Sequence, residues 1–577
     1  MIPGDEVDIT STPRIELTAP AAGSDRRSHG IGPRSWWGEL FVVGVIAGAG
    51  LFALLVAAAA HAVAANSDSA TVVLEGRAIA HGNLSLSGWS LSLDSFWSVD
   101  AVFYAVGVAL VGLGPVVITL VPAAIALLVI VVGAFAARDG LTGKGALVAV
   151  LTVVALLGLP SYALAFYFLQ GPWHIGTALW CLVAFVALRH GRFDWGWLIG
   201  VGFLVAGMLG DLQTVAFGVV PVALGGALAM LRTRAWRAGL SEIAAAAVSV
   251  LAALVIRAVT VYFGAFSFHE AHHTSSLNRM AIDLRHLGSW GLSLFGVTRG
   301  PVGGPLIPVP IAAAHLVGLV VVLVSVVVAL LGAVRGAVTG PNGTRPPAGS
   351  AASTEHGSLV VQQPVQQLRP SWRLDDLLLF GCLGDLAVFE LLTLSGNTSY
   401  ARYLTAAVIF AVVLASRSLG RASARLGPGT LRRTVAALMI ATMCGYAADV
   451  GLELSETSPR QPVTALDRFL IDHGLTDGVG DYWAASVVTV QTRGAVTIRP
   501  IVANAKRLLV RDGRQSDRSW YVGKQFQFLV YQSAPYGRVE ASTVLHTFGT
   551  PEHIYVIGSY YVAVWGHPIT LPPGQFP

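Results

Sequence analysis

Charge is scarce in this chain. Asp, Glu, Lys and Arg make up 12% of its 577 residues, against roughly 25% in ordinary soluble domains. With 54% hydrophobic residues and a mean hydropathy of +0.66, that scarcity excludes a soluble globular protein and marks an integral membrane protein. Cysteine is nearly absent. Cys181, Cys382 and Cys444 all fall inside apolar runs, which leaves no disulfide framework and no cysteine-based zinc cluster. An internal repeat is also lacking, which counts against a transporter built from paired inverted halves. The first residues lack the charged-then-apolar layout of a cleaved signal, so the first apolar run reads as an uncleaved anchor. The formal net charge of +5 reports membrane topology rather than nucleic-acid binding.

What is abundant is long apolar sequence. Runs long enough to cross about 30 Å of hydrocarbon occur near 38–62, 115–137, 144–162, 172–189, 195–210, 212–231, 241–263, 309–333, 375–394, 401–416 and 431–449. The fold class is therefore a polytopic α-helical membrane protein with about 11 transmembrane helices. The break at Gly210-Asp211 also admits a re-entrant hairpin. Arginines recur in every second connection: Arg14, Arg26, Arg27 and Arg34; Arg138; Arg189 and Arg192; Arg232, Arg234 and Arg237; Arg335 and Arg345; Arg417, Arg421, Arg425, Arg432 and Arg433. By the positive-inside rule the N-terminus is then cytoplasmic and the C-terminal region lies outside.

Three domains follow. Residues 1–36 read as a disordered cytoplasmic tail. Residues 37–449 form the transmembrane domain, with a first outer loop at 66–114 and a Pro/Gly-rich cytoplasmic linker at 336–372. Residues 450–577 change character and read as a small extracytoplasmic α+β domain. Its strand signals are Ser486 to Val490, Gly494 to Ile498, Gln525 to Val530, Ile554 to Ile557 and Tyr560 to Val564. A helix is expected over Ala465 to His473, and the domain suits acceptor binding or a lid.

The first outer loop carries His81-Gly82-Asn83, Gly88-Trp89, Asp94-Ser95-Phe96-Trp97 and Asp100. Trp89 and Trp97 are expected at headgroup depth, and Ala101 to Gly112 reads as an interfacial helix. Asp68, Glu75, Asp94 and Asp100 then sit just above the bilayer, where a lipid-linked substrate presents its head group. An acid beside apolar surface has a raised pKa, which suits a general base.

This layout resembles the GT-C glycosyltransferases, the superfamily of protein O-mannosyltransferases and lipid A aminoarabinose transferases. The resemblance lies in the long first outer loop with its acids, the many short helices and the extracytoplasmic C-terminal domain. It implies sugar transfer from a polyprenyl-phosphate donor to an acceptor hydroxyl on a glycan, lipid or protein. It implies a catalytic Asp in the loop: Asp94 by preference, then Asp100, or Asp68, which stands where family enzymes place their acid near the first span. Arg402 and Tyr403 at the mouth of a late span are the first choice for the leaving phosphate. Arg257, inside a span, is the second, unless it pairs with Asp385 or Glu390. Trp89, Trp97, His81 and Asp211 complete the candidate substrate contacts, with membrane anchoring as the plainer role for the two tryptophans.

One motif points elsewhere. His269-Glu270-Ala271-His272-His273 satisfies H-E-x-x-H, but Asp283 is the one nearby carboxylate for a third ligand. A divalent metal held by His269, Glu270 and His273 against a phosphate head group is the cofactor reading. A transporter or flippase of lipid-linked or small polar substrates is the alternative function, with Arg257, Asp385 and Glu390 lining a path.

Overall fold

The protein is described as a computed structural model covering residues 34–92, 94–268, 276–300, 303–339, 372–391, 398–456, 463–532 and 539–572. The N-terminal tail, the His269 to His273 motif and nearly all of the 336–372 linker lie outside the described residues. The chain divides into two compact units, Met1–Ala49 and Gly50–Pro577. Of the first, the described part is the start of helix α1 (Arg34–Ala62). All that follows concerns the second.

Each of the eleven apolar runs contains a helix among the described residues, although fewer than the expected 11 are long enough to span. After α1 come α4 (Pro115–Arg138), α5 (Gly143–Gly158), α7 (Ile175–Leu188), α8 (Trp195–Gly210) and α9 (Val220–Thr233). Then follow α10 (Leu240–Tyr262), α12 (Val309–Thr339), α13 (Trp372–Leu391), α14 (Thr405–Arg425) and α15 (Thr430–Ser455). Seven helices among the described residues are long and apolar enough to cross a membrane alone, or up to eight if a bent pair forms one span. The pair is α5 and α6 (Tyr162–Phe168), which meet at 84°. Pro160 sits in the break, where it removes a backbone donor and stops the helix. The helices α7 and α8 are too short to qualify.

Charged pairs collect at the ends carrying the basic connections. Arg189 meets Asp139, Arg232 meets Asp376, Arg373 meets Glu242, and Asp375 takes both Arg417 and Arg421. Arg417 is 1% exposed and also donates to the Ala136 carbonyl. These pairings join connections that the charge pattern assigns to one side.

The first loop is more structured than its polarity suggests. It holds α2 (Ser67–Ala80), the short strand β1 (Trp89–Leu91) and α3 (Ala101–Val111). Asn66 starts α2 with a capping box shared with Ser69. Gly76 lets α2 and α3 touch: a Cβ there would stand 2.6 Å from the Tyr104 carbonyl carbon. Beyond α10, strand β2 (Ser267–Phe268) and helix α11 (Leu277–Leu294) lead to α12.

The C-terminal domain is α+β. It comprises α16 (Thr464–Asp472), β3 (Asp477–Asp481), α17 (Tyr482–Gln491), β4 (Thr497–Ala503), β5 (Leu509–Arg511) and β6 (Ser516–Asp517). It ends with β7 (Phe526–Gln532), α18 (Ala541–Phe548), β8 (His553–Ile557) and β9 (Tyr560–Ile569). Six strands form one sheet in the order β5-β4-β3-β7-β9-β8, with β3 parallel to both neighbours. One expectation fails here. Ser486 to Val490 reads as a strand but lies in α17. Asp481 caps that helix through Trp483 N, and its Val face is buried between the sheet and α2, so packing overrides β-propensity. The Gly494 to Ile498 signal likewise matches only the start of β4.

Candidate active site

Two contacts lock the C-terminal domain onto the first loop. Strand β1 pairs antiparallel with β6 and parallel with β2, and Thr71 on α2 donates to Ser486 on α17 at 2.8 Å. Trp89, expected at headgroup depth, is instead 3% exposed and stands edge-on to Trp520, ring centroids 5.0 Å apart. Trp97 donates to the Leu84 carbonyl and packs on Phe266.

Under this junction lies a cleft of about 230 Å³. Five segments line it: the start of α2 (Asp68), the loop after β1 (Ser92, Asp94, Phe96), the α6–α7 connection (Trp173, His174), the turn before α14 (Arg402, Tyr403) and the C-terminal domain (Tyr482, Trp483, Arg514, Gln515). Asp68, Asp94, Arg402 and Tyr403, far apart in sequence, therefore meet. Asp211 stands directly behind them. His81 caps α2 at the surface through the Arg77 carbonyl and does not line the cleft, nor do Trp89 and Trp97. Arg257 is also outside it. Its guanidinium lies over Phe266 and Phe268 and donates to the Phe266 carbonyl, so its described contacts are aromatic rather than the expected Asp385 or Glu390. Asp385 instead accepts the Ala407 amide.

The chemical centre is a triad. Asp94, His174 and Asp211 offer ligand atoms that all lie within 4.8 Å of one another. His174 Nδ1 is 2.6 Å from Asp211 Oδ2, which also accepts Thr177 Oγ1 at 2.5 Å, while the Gln213 amide donates to Oδ1 at 2.9 Å. Burial opposes charge on both partners, but these contacts overcome it. Asp211 is held below the usual carboxylate range, and His174 is raised by Asp211 and Asp94. Each partner thus favours the charged form of the other. Asp94 is pushed the other way, to about 7, first by burial, then by the Asp211 charge and a hydrogen bond to it, with His174 and Arg402 partly offsetting. A fixed charge beside a carboxyl near neutrality is the arrangement that separates acid and base roles between two acids.

The backbone marks the same spot. Phe96 and His174 have φ of 52° and 66°, in the left-handed region that non-glycine residues rarely occupy. Their rings pack at 5.3 Å, and the Phe96 amide and Ser95 hydroxyl both bond the Gly210 carbonyl at the end of α8. Such strain is held where surrounding structure enforces a particular placement. Asp68, in the first turn of α2, accepts the Tyr482 hydroxyl at 2.7 Å, so the C-terminal domain contributes directly to the cleft. Arg402 lies over Trp173 and Tyr403 (5.2 and 4.9 Å to the ring centroids) and donates to the Tyr403 hydroxyl. Its buried Nε has no partner among the described residues.

Asp100 stands apart. It occupies the N-cap position of α3 without a capping bond, and its fully buried carboxyl packs against Gly176. Burial, then the Asp211 charge, push it to about 8. The unfolded chain loses this proton near pH 4 and the folded chain keeps it to about 8, so its stabilising contribution is full below pH 4 and fades as pH rises through that window. Asp100→Asn is accordingly expected to raise the thermal midpoint in detergent at pH 9 and to change it little at pH 4; an equal shift at both would contradict a buried neutral carboxyl.

Trp173, His174, Tyr482 and Arg514 are among the lining residues that sequence reasoning missed. A signal for the first two exists in Gly171-Pro172-Trp173-His174, a polar interruption at the head of an apolar run. The triad also presents two carboxylates and an imidazole, a donor set that fits a divalent cation.

No family model matches the chain, and no curated protein sequence matches it. Among solved structures it is similar to ArnT from Cupriavidus metallidurans in the apo state, at 14% identity over 92% of this chain and 98% of that one, with a TM-score of 0.48. ArnT bound to undecaprenyl phosphate gives the same values. The Archaeoglobus fulgidus oligosaccharyltransferase in complex with Zn and sulfate follows at 12% identity, over 82% of this chain and 64% of that one, with a TM-score of 0.40.

Proposed function

We propose that this chain is a GT-C-type glycosyltransferase of the cell membrane that moves a sugar from a polyprenyl-phosphate donor to an acceptor hydroxyl outside the cytoplasm. One observation carries the reading: a carboxyl poised near neutrality, Asp94, and a buried guanidinium with a donor unpartnered among the described residues, Arg402, line the same cleft. A transferase of this kind needs that pair, a base for the attacking hydroxyl and a cation for the leaving phosphate. Asp94 takes the hydroxyl proton as the acceptor oxygen bonds the anomeric carbon. The bond from that carbon to the phosphate oxygen breaks with inversion, and the polyprenyl phosphate leaves with its electrons beside Arg402, with Arg514 as a second cation. Burial and the neighbouring Asp211 charge, partly offset by His174, keep Asp94 from being simply ionised at rest. Asp68, tied to Tyr482, orients the acceptor. The alternating basic connections support a cytoplasmic N-terminus and an outside C-terminal domain.

The test is transfer in proteoliposomes from radiolabelled polyprenyl-phosphate mannose, glucose and arabinose to a membrane extract supplying glycan, lipid and protein acceptors. Label should leave one donor in the wild type. Arg402→Ala should raise the donor KM by roughly 10²-fold, the loss of a buried charge-assisted contact. Donor that crosses the bilayer intact would favour the flippase instead. The triad's donor set favours one second reading, a divalent cation at Asp94, His174 and Asp211. Turnover abolished by a chelator and restored by Mn²⁺ would make Asp94 a ligand rather than the base.

A further inference from the structure

A second polar constellation sits between α12 and α15, and none of its residues lines the sugar cleft. His315 on α12 is fully buried, with Nε2 3.2 Å from Asp449 Oδ2 and its ring 4.0 Å from that of Tyr446. Glu453, one turn beyond Asp449 on α15, is 2% exposed. Both of its oxygens and the Tyr446 hydroxyl lack a hydrogen-bond partner among the described residues. Asp449 lines a small pocket together with Ser161, Tyr162 and the exposed Arg299. Tyr162 lies within electrostatic reach of Glu453, Glu456 and Arg299. Buried carboxylates of this kind inside a membrane segment are costly and seldom retained without a use.

The same helix faces continue as an apolar crevice. Gly318 faces the Tyr446 hydroxyl, 2.5 Å from where a Cβ would stand. Beyond it Val317 and Val321 on α12 oppose Met439 and Met443 on α15, in a slot whose lining is almost entirely apolar. On α15 the positions 439, 443, 446, 449 and 453 recur at helical spacing, so one stripe runs from apolar to acidic.

We propose that this stripe binds a phospholipid with a primary-amine head group, of the phosphatidylethanolamine type. The acyl chain fills the slot at Met439 and Met443, the ammonium meets Asp449 and Glu453, and the phosphate meets Arg299. Charge complementarity selects this occupant. A purely anionic lipid would face two buried carboxylates, and a purely cationic one would leave Arg299 unused. The site is independent of the sugar cleft, so its test requires no transferase activity.

The experiment is native mass spectrometry of the full chain released from nanodiscs of equal phosphatidylethanolamine and phosphatidylglycerol. The wild type should retain the amine lipid over phosphatidylglycerol by roughly tenfold, the scale of one charge-assisted contact. Glu453→Gln should erase most of that preference. Met443→Trp, which alters no charged residue and fills the slot, should remove retention of both lipids while the thermal midpoint stays near wild type. Equal retention of the two lipids by the wild type would overturn the proposal, as would an unchanged preference in Glu453→Gln. A stable dimer that carries no lipid would also overturn it, by assigning the crevice to a second copy of the chain.

Discussion

Asp94→Asn lowers the turnover number by about 10²–10⁴-fold, the contribution of a positioned general base. Asparagine keeps the size and much of the hydrogen bonding of the side chain but does not accept the proton. The pH profile distinguishes this from a merely structural loss. Asp94 titrates at about 7, and only its deprotonated form is competent, so wild-type kcat/KM should climb with pH through about 7 and level off above it. The residual activity of Asp94→Asn should lack that rise. Asp68→Asn, which loosens the tie to Tyr482, should slow the reaction while retaining the rise. If instead Asp68→Asn abolishes the rise and Asp94→Asn keeps it, the base belongs at Asp68.

His174→Ala has the largest expected effect on stability. Asp211 is fully buried, and His174 supplies its counter-charge at 2.6 Å. Removing one partner of such a pair costs about 3–5 kcal/mol, because a carboxylate is left uncompensated. Thr177 and the Gln213 amide would still hold Asp211, so the protein should fold but melt earlier. A double-mutant cycle with Asp211→Asn checks the mechanism. The double variant should cost clearly less than the sum of the singles, since removing both charges removes the problem. Strict additivity of the thermal shifts would contradict the ion pair.

Much of this architecture is readable in the sequence because the bilayer imposes simple rules. Apolar length gives the helices, and the arginines of the basic connections are the ones that the Arg417–Asp375 and Arg232–Asp376 pairs engage. The alternation Gln525 to Val530 and Tyr560 to Val564 gives β7 and β9 correctly, since those strands are half-buried in a sheet. Ser486 to Val490 deceives for a physical reason: its valines are buried on all sides, between sheet and α2, and full burial erases the periodicity that separates helix from strand. The site is legible one residue at a time and illegible as a set. Asp94 and Arg402 announce themselves as polar groups beside apolar runs. The contact of Asp94 with His174 and Asp211 requires a loop folded back onto the ends of α7 and α8, and nothing in local pattern encodes it. Tyr482 and Arg514 come from a domain four hundred residues away, brought in by the pairing of β1 with β6.

The central claim is that the cleft transfers sugar with Asp94 as base. Single-turnover release of free polyprenyl phosphate from a preloaded polyprenyl-phosphate sugar, followed in proteoliposomes across pH 5 to 9, tests it most directly. The account predicts acceptor-dependent release by the wild type, rising through pH 7, and near-complete loss in Asp94→Asn with donor still bound. Release at wild-type rate by Asp94→Asn, with the same pH profile, would contradict it.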